Sequence, residues 1–173
     1  MKTQTKRQEF VLVQATLSAV MAALVTLATF TVQIPNPATR GYINFGDIMI
    51  FVSALTFGPI VGGLAGSVGS SIADIVSGYG YFAPFTFLIK GAEGALAGLI
   101  SNKLNVSRDV LAVIVAGAEM ITAYFVVEFF PLQLGWAALT EVPGNISQIV
   151  VGAVIGVPIA AIIRRRLPEI LKS

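Results

Sequence analysis

The chain has 173 residues, of which 55% are hydrophobic and only 12% charged, with a mean hydropathy of +0.84. A typical soluble domain is roughly 25% charged, and a soluble fold of this size must leave much of its surface in water, so a water-soluble globule is excluded in favour of one integral membrane domain over residues 1–173. There is no Cys and no His, which removes disulfides, thiolate chemistry, the usual zinc ligands and the usual general base, and the net charge of +2 gives no reason to expect a nucleic-acid partner.

Residues 10–32 carry no charge, and about 20 such residues cross a bilayer core. Lys2, Lys6 and Arg7 precede them, as in a signal peptide. A signal core is only about 7–15 residues long, and no small-x-small cleavage site follows, so a membrane helix is expected. Residues 33–45, with Pro35, Pro37, Arg40, Gly41 and Asn44, cannot be helical throughout. A short helix is predicted at about 46–57, broken by Gly58-Pro59, and a third at about 60–77, rich in small residues. The turn Gly78-Tyr79-Gly80-Tyr81 leads to a fourth at about 84–101, where Pro84 suits a first turn. A polar loop at 102–109 precedes a fifth helix at about 110–130. A second irregular segment, 131–144, precedes a sixth helix at about 145–163, which Arg164-Arg165-Arg166 stops.

The fold class is therefore an all-α membrane protein, a bundle of six transmembrane helices. With six spans, nine of the eleven Lys and Arg fall on one side: Lys2, Lys6, Arg7, Lys103, Arg108, Arg164, Arg165, Arg166 and Lys172. The excess of positive charge on cytoplasmic loops then puts both termini in the cytoplasm.

Ionisable groups inside a membrane are costly and usually functional. Here they are Asp74, Lys90, Glu93, Glu119 and Glu128. At about 1.5 Å of rise per residue, they gather in the outer half of the bundle, together with Asn145 and Gln148, beneath the two irregular segments. The aromatic residues Tyr42, Phe45, Tyr79, Tyr81, Phe82, Phe85 and Trp136 lie at the same level. Together these describe a polar cavity that opens outward and offers stacking faces to a flat heteroaromatic ligand. The plainer readings are internal pairing of Lys90 with Glu93 or Asp74, a helix-dipole role for Asp47, and interface anchoring by Tyr and Trp. Ala15-x-x-x-Ala19-x-x-x-Ala23 makes a smooth stripe on the first helix. Gly62-x-x-x-Gly66 and Gly152-x-x-x-Gly156 read as close internal packing. No phosphate-binding G-x-x-x-x-G-K-[ST] loop and no inverted repeat is present, which suggests a binding subunit that takes its energy from partners.

The ordered runs Gly41-Tyr-Ile-Asn-Phe-Gly-Asp47, Phe57-Gly-Pro59, Gly66-Ser-Val-Gly-Ser70, Ala73-Asp74, Ser77-Gly-Tyr79, Ala83-Pro-Phe85 and Lys90-Gly-Ala-Glu93 resemble the substrate-binding S components of energy-coupling factor (ECF) transporters. The likeness is closest to the riboflavin-transporter-like branch that includes vitamin B6 and hydroxymethylpyrimidine proteins. It implies six helices in the cytoplasmic membrane of a prokaryote and a vitamin site near the outer face, under the loop between the first two helices. It further implies docking through Ala15, Ala19 and Ala23 to a transmembrane coupling subunit driven by two ATPase subunits. The vitamin is then transported ligand; neither cofactor nor metal is implied, and no enzymatic activity. The candidate ligand residues are Tyr42, Asn44, Asp74, Tyr79, Tyr81, Lys90, Glu93, Glu119, Asn145 and Gln148. A vitamin B6 form or a pyrimidine precursor is the preferred ligand, with riboflavin as the rival. A membrane enzyme using Glu93 and Glu119, and a stand-alone proton-coupled carrier or channel using Asp74, Lys90 and Glu119, are the readings of another class.

Overall fold

The computed structural model describes residues 2–102 and 105–166; Lys103 and Lys172, two of the charges counted for orientation, lie outside them. Helix α1 runs from Lys2–Thr31, eight residues ahead of the expected start. Nothing in that stretch interrupts a helix, since it holds neither Gly nor Pro. The Thr26 hydroxyl inside it bonds the Ala22 carbonyl of the preceding turn (3.0 Å) and the Gly69 carbonyl of a neighbouring helix (2.8 Å), as a dry environment demands.

The segment expected to be irregular is a β-hairpin instead. Strand β1 (Gln33–Asn36) pairs antiparallel with β2 (Gly41–Asn44), Gln33 opposite Asn44 and Asn36 opposite Gly41. Each strand is only four residues long, and a two-stranded ribbon is all edge, so Pro35 is tolerated. Arg40 closes the turn at φ 59°, with its N–H on the Asn36 carbonyl (2.9 Å).

Helices α2 (Gly46–Phe57) and α3 (Pro59–Val76) meet at one residue, Gly58. Its φ of 98° lies where glycine is favoured, and Pro59 opens α3. At 12 residues, α2 is about 18 Å long, short of the roughly 30 Å hydrocarbon core. It is the buried central pillar, with Phe51, Ala54 and Leu55 in one apolar cluster and Ile50 and Val52 in another. Helix α4 spans Ala83–Ile100. Helix α5 spans Val106–Phe129, absorbing half of the expected polar loop, because the Asn105 side chain caps it by accepting from Ser107 N (2.9 Å) and Arg108 N (3.3 Å).

The last span is composite. A 3₁₀ turn (Gly135–Thr140) leads into α6 (Val142–Val151), a π-helical stretch (Gly152–Gly156) and α7 (Val157–Arg166). The π stretch falls where Gly152 meets the Phe51 ring and Gly156 the Ile48 carbonyl. The other glycine stripe also packs internally. A Cβ on Gly62 would come within 2.6 Å of Ala54, and one on Gly66 would collide with the Lys90 carbonyl.

Among the described residues, five segments are long and apolar enough to cross a membrane: Arg7–Thr31, Pro59–Val76, Ala83–Ile100, Val106–Phe129 and Gly135–Arg166. Large apolar side chains such as Leu12, Leu27, Ile75, Leu88, Ile114 and Val154 face outward, as lipid permits. Ala15, Ala19 and Ala23 are also exposed, opposite the packed face of Met21, Ala22 and Val25.

Candidate ligand-binding site

The helix ends beneath the hairpin surround a cavity with about 40 Å³ of free space, room for about three waters. Helical spacing builds its wall. Ser70 and Asp74 on α3, Thr86 and Lys90 on α4, and Tyr124 and Glu128 on α5 are each one turn apart, so each helix presents one polar stripe. The start of the last span adds Glu141, Asn145 and Gln148; α1 adds Thr29 from its final turn; Gly41, Tyr42 and Asn44 come from the hairpin, and Phe82 from the entrance to α4.

The floor is a buried ion cluster. Lys90 Nζ donates to Asp47 Oδ1 (2.5 Å) and Glu93 Oε2 (2.9 Å), with all three side chains at most 4% exposed. Its third N–H donor is left for the cavity, and Nζ lies 5.8 Å from the Tyr124 ring centroid. Asp47 therefore does more than meet a helix dipole, the role its position suggested. Asp74 does not pair with Lys90 as one reading had it. Its Oδ1 accepts from the Tyr42 hydroxyl at 2.6 Å. Burial first, then the Asp74 charge, push that hydroxyl well above the usual tyrosine range, so it stays protonated and donates.

The hairpin is fastened over this cavity along its length. Gln33 bonds Ser77 (2.7 Å), Asn36 bonds Thr140 (3.0 Å), and Thr39 donates to Glu141. Asn44 N donates to Gln148 Oε1 (3.1 Å), and Gln148 in turn donates to Asn145 (2.9 Å). A Cβ on Gly41 would meet the Glu141 carboxylate and displace it.

Three lining atoms are buried without a hydrogen-bond partner: Thr29 Oγ1, Asp74 Oδ2 and Glu128 Oε2. Such atoms cost free energy unless something pairs with them. They are acceptors, or in Thr29 a hydroxyl, on residues that line the cavity.

Of the residues singled out from sequence, Tyr42, Asn44, Asp74, Lys90, Asn145 and Gln148 line the cavity. Tyr79 is one layer back, its ring 4.5 Å from that of Tyr42. Tyr81 reaches the hairpin tip and donates to the Arg40 carbonyl at 2.8 Å. Glu93 supports Lys90 from behind, and half-buried Glu119 stands outside the lining. Thr29, Ser70, Thr86, Tyr124, Glu128 and Glu141 were absent from the candidate set. The i, i+4 partnership of Thr86 with Lys90 and of Tyr124 with Glu128 was the signal that could have found three of these. Among the described residues no group of three acids is placed to hold a metal ion.

Comparison with known proteins agrees with this architecture. The family described as "ECF-type riboflavin transporter, S component" matches residues 10–165. An uncharacterised protein from the gap 3′ region of Pyrococcus woesei is 42% identical over 149 residues, covering 86% of this chain and 99% of its own. The thiamine precursor transporter HmpT of Lactococcus lactis subsp. cremoris (strain MG1363) is 29% identical over 153 residues, 87% of each chain.

Proposed function

Since this chain belongs to the family of ECF-type riboflavin transporter S components, we propose that it captures a small heteroaromatic vitamin or vitamin precursor, a pyrimidine being preferred, in the cavity beneath the hairpin. The observation that carries this reading is the set of three unpaired buried atoms, Thr29 Oγ1, Asp74 Oδ2 and Glu128 Oε2, around a space walled by Tyr42, Phe82 and Tyr124. Rings fix a flat ligand by stacking; the polar atoms fix its orientation. The free space is small, about 40 Å³, and lifting of the hairpin would enlarge it for a ring. A pyrimidine or a vitamin B6 pyridine demands less of that movement than the three-ring flavin does. The likeness to a thiamine precursor transporter favours the pyrimidine.

Energy then comes from a coupling subunit and two ATPases in the same cytoplasmic membrane, and the chain itself performs no chemistry. The exposed Ala15, Ala19 and Ala23 give the coupling subunit a smooth face to approach. Ala19→Trp is expected to abolish uptake in cells and leave vitamin affinity of the purified chain unchanged; loss of affinity would count against a docking role.

Native mass spectrometry of the purified chain, followed by denaturation, tests the binding role. The expected result is one released pyrimidine or pyridine per chain, or a thermal shift with one of them. If no vitamin or precursor in a broad panel shifts melting, the binding-subunit reading fails, and ion flux through the chain alone becomes the next assay.

A further inference from the structure

We propose that the cavity selects its ligand by charge and donor count: it takes an amino-bearing heterocycle that binds as a cation, with Asp74 and Glu128 as the specificity-determining residues, and it rejects oxo and phosphorylated forms of the same ring. This rests on the ligand-binding reading above.

The argument is one of charge balance. Lys90 is the one base that lines the cavity, against Asp74, Glu128 and Glu141. Its charge is already met from behind by Asp47 and Glu93, which do not line the cavity. A ligand anion would therefore find no uncompensated cation. Among the described residues none of the three lining acids forms an ion pair; Tyr42 gives its hydroxyl to Asp74, and Thr39 its hydroxyl to Glu141. Asp74 and Glu128 are 4% and 3% exposed, and each keeps one oxygen unpaired. Their α3 and α5 stripes face the same space, so one planar ligand can reach both. A protonated amino-heterocycle presents N–H donors at its ring and at its exocyclic amine, and charged donors are the ones a carboxylate accepts most strongly. An oxo ring puts a carbonyl lone pair where the carboxylate needs a hydrogen, which leaves two acceptors facing each other. A phosphate adds two negative charges to a site already rich in them.

The test is isothermal titration of the detergent-purified chain with three probes: 4-amino-5-hydroxymethyl-2-methylpyrimidine, its 4-oxo counterpart, and the phosphate ester of the amino compound. A charged hydrogen bond sets the expected scale, so the amino probe should bind about 10- to 100-fold more tightly than the oxo probe, and the ester should show no saturable binding. Asp74→Asn should weaken the amino probe by a similar factor and the oxo probe far less, so that discrimination collapses; Glu128→Gln should act in the same direction. Equal affinity for amino and oxo probes overturns the inference, as does tight binding of the ester, while leaving the chain a vitamin-binding subunit. The ratio in the unmodified chain needs no variant to fold. Absence of binding by any heterocycle, riboflavin and pyridoxine included, overturns the proposed function itself.

Discussion

The bundle buries a cation at both of its ends, in opposite ways. At the end away from the hairpin, Arg164 meets both oxygens of Asp109, and its Nη1 also donates to the Leu55 carbonyl at 3.3 Å. One cation faces one acid and a carbonyl, tying α7 to α5 and to the last turn of α2. At the hairpin end, Lys90 faces two acids, three more acids line the space above it, and Asp74 and Glu128 each keep an oxygen unpaired. A buried pair whose acid oxygens are both met holds helices together, even though Arg164 Nε is left unpaired. A buried set with acceptors in excess is costly by itself, and a ligand can recover that cost. On the proposed function, the difference separates a strut from a site.

Single substitutions should break both ends hardest. Arg164→Ala leaves Asp109 charged and buried, and Lys90→Ala leaves Asp47 and Glu93 without their cation; each should cost about 3–5 kcal/mol, read by denaturant titration in detergent. The double change Arg164→Met with Asp109→Leu sharpens the contrast, because an apolar replacement of a complete pair is often neutral. Stability should return, with ligand affinity intact. No apolar replacement of Lys90 and its partners should restore affinity. A smaller effect is expected from Gly66→Ala, whose Cβ would collide with the Lys90 carbonyl and push α3 from α4. Overpacking of this kind costs about 1–3 kcal/mol and should also weaken the ligand by moving Lys90. Smallest is Tyr42→Phe, which removes one hydrogen bond to Asp74. About 1 kcal/mol is at stake, and it should appear as faster ligand release in stopped-flow measurements, with the melting temperature little changed.

Local pattern made part of this contrast readable in sequence. The charge-free run of residues 10–32, the break at Gly58-Pro59 and Pro84 in a first turn each marked an element. The pairing of Lys90 with Glu93 follows from their spacing of three on a helix. What stayed hidden depends on contacts far apart in the chain. Asp47 and Lys90 are 43 residues apart, and an acid in a first turn already has a local reason to be there. Arg164 and Asp109 are 55 apart; Arg164 read as a cytoplasmic stop charge and Asp109 as part of a polar loop. The hairpin was missed because Pro35 stands in its first strand and Pro37 in its turn, and four-residue strands are too short to show alternation. Thr86 and Tyr124 are ordinary helix residues until a shared cavity brings the Tyr124 hydroxyl within 3.1 Å of Thr86.

Amide hydrogen exchange of the purified chain, with and without saturating 4-amino-5-hydroxymethyl-2-methylpyrimidine, compares the two ends in one experiment. Exchange is predicted to slow at 41–44, 124–128 and 141–148 and to stay unchanged at 105–109 and 160–166. Protection centred on the Asp109–Arg164 end, with none beneath the hairpin, would contradict the assignment of the hairpin end as the binding site.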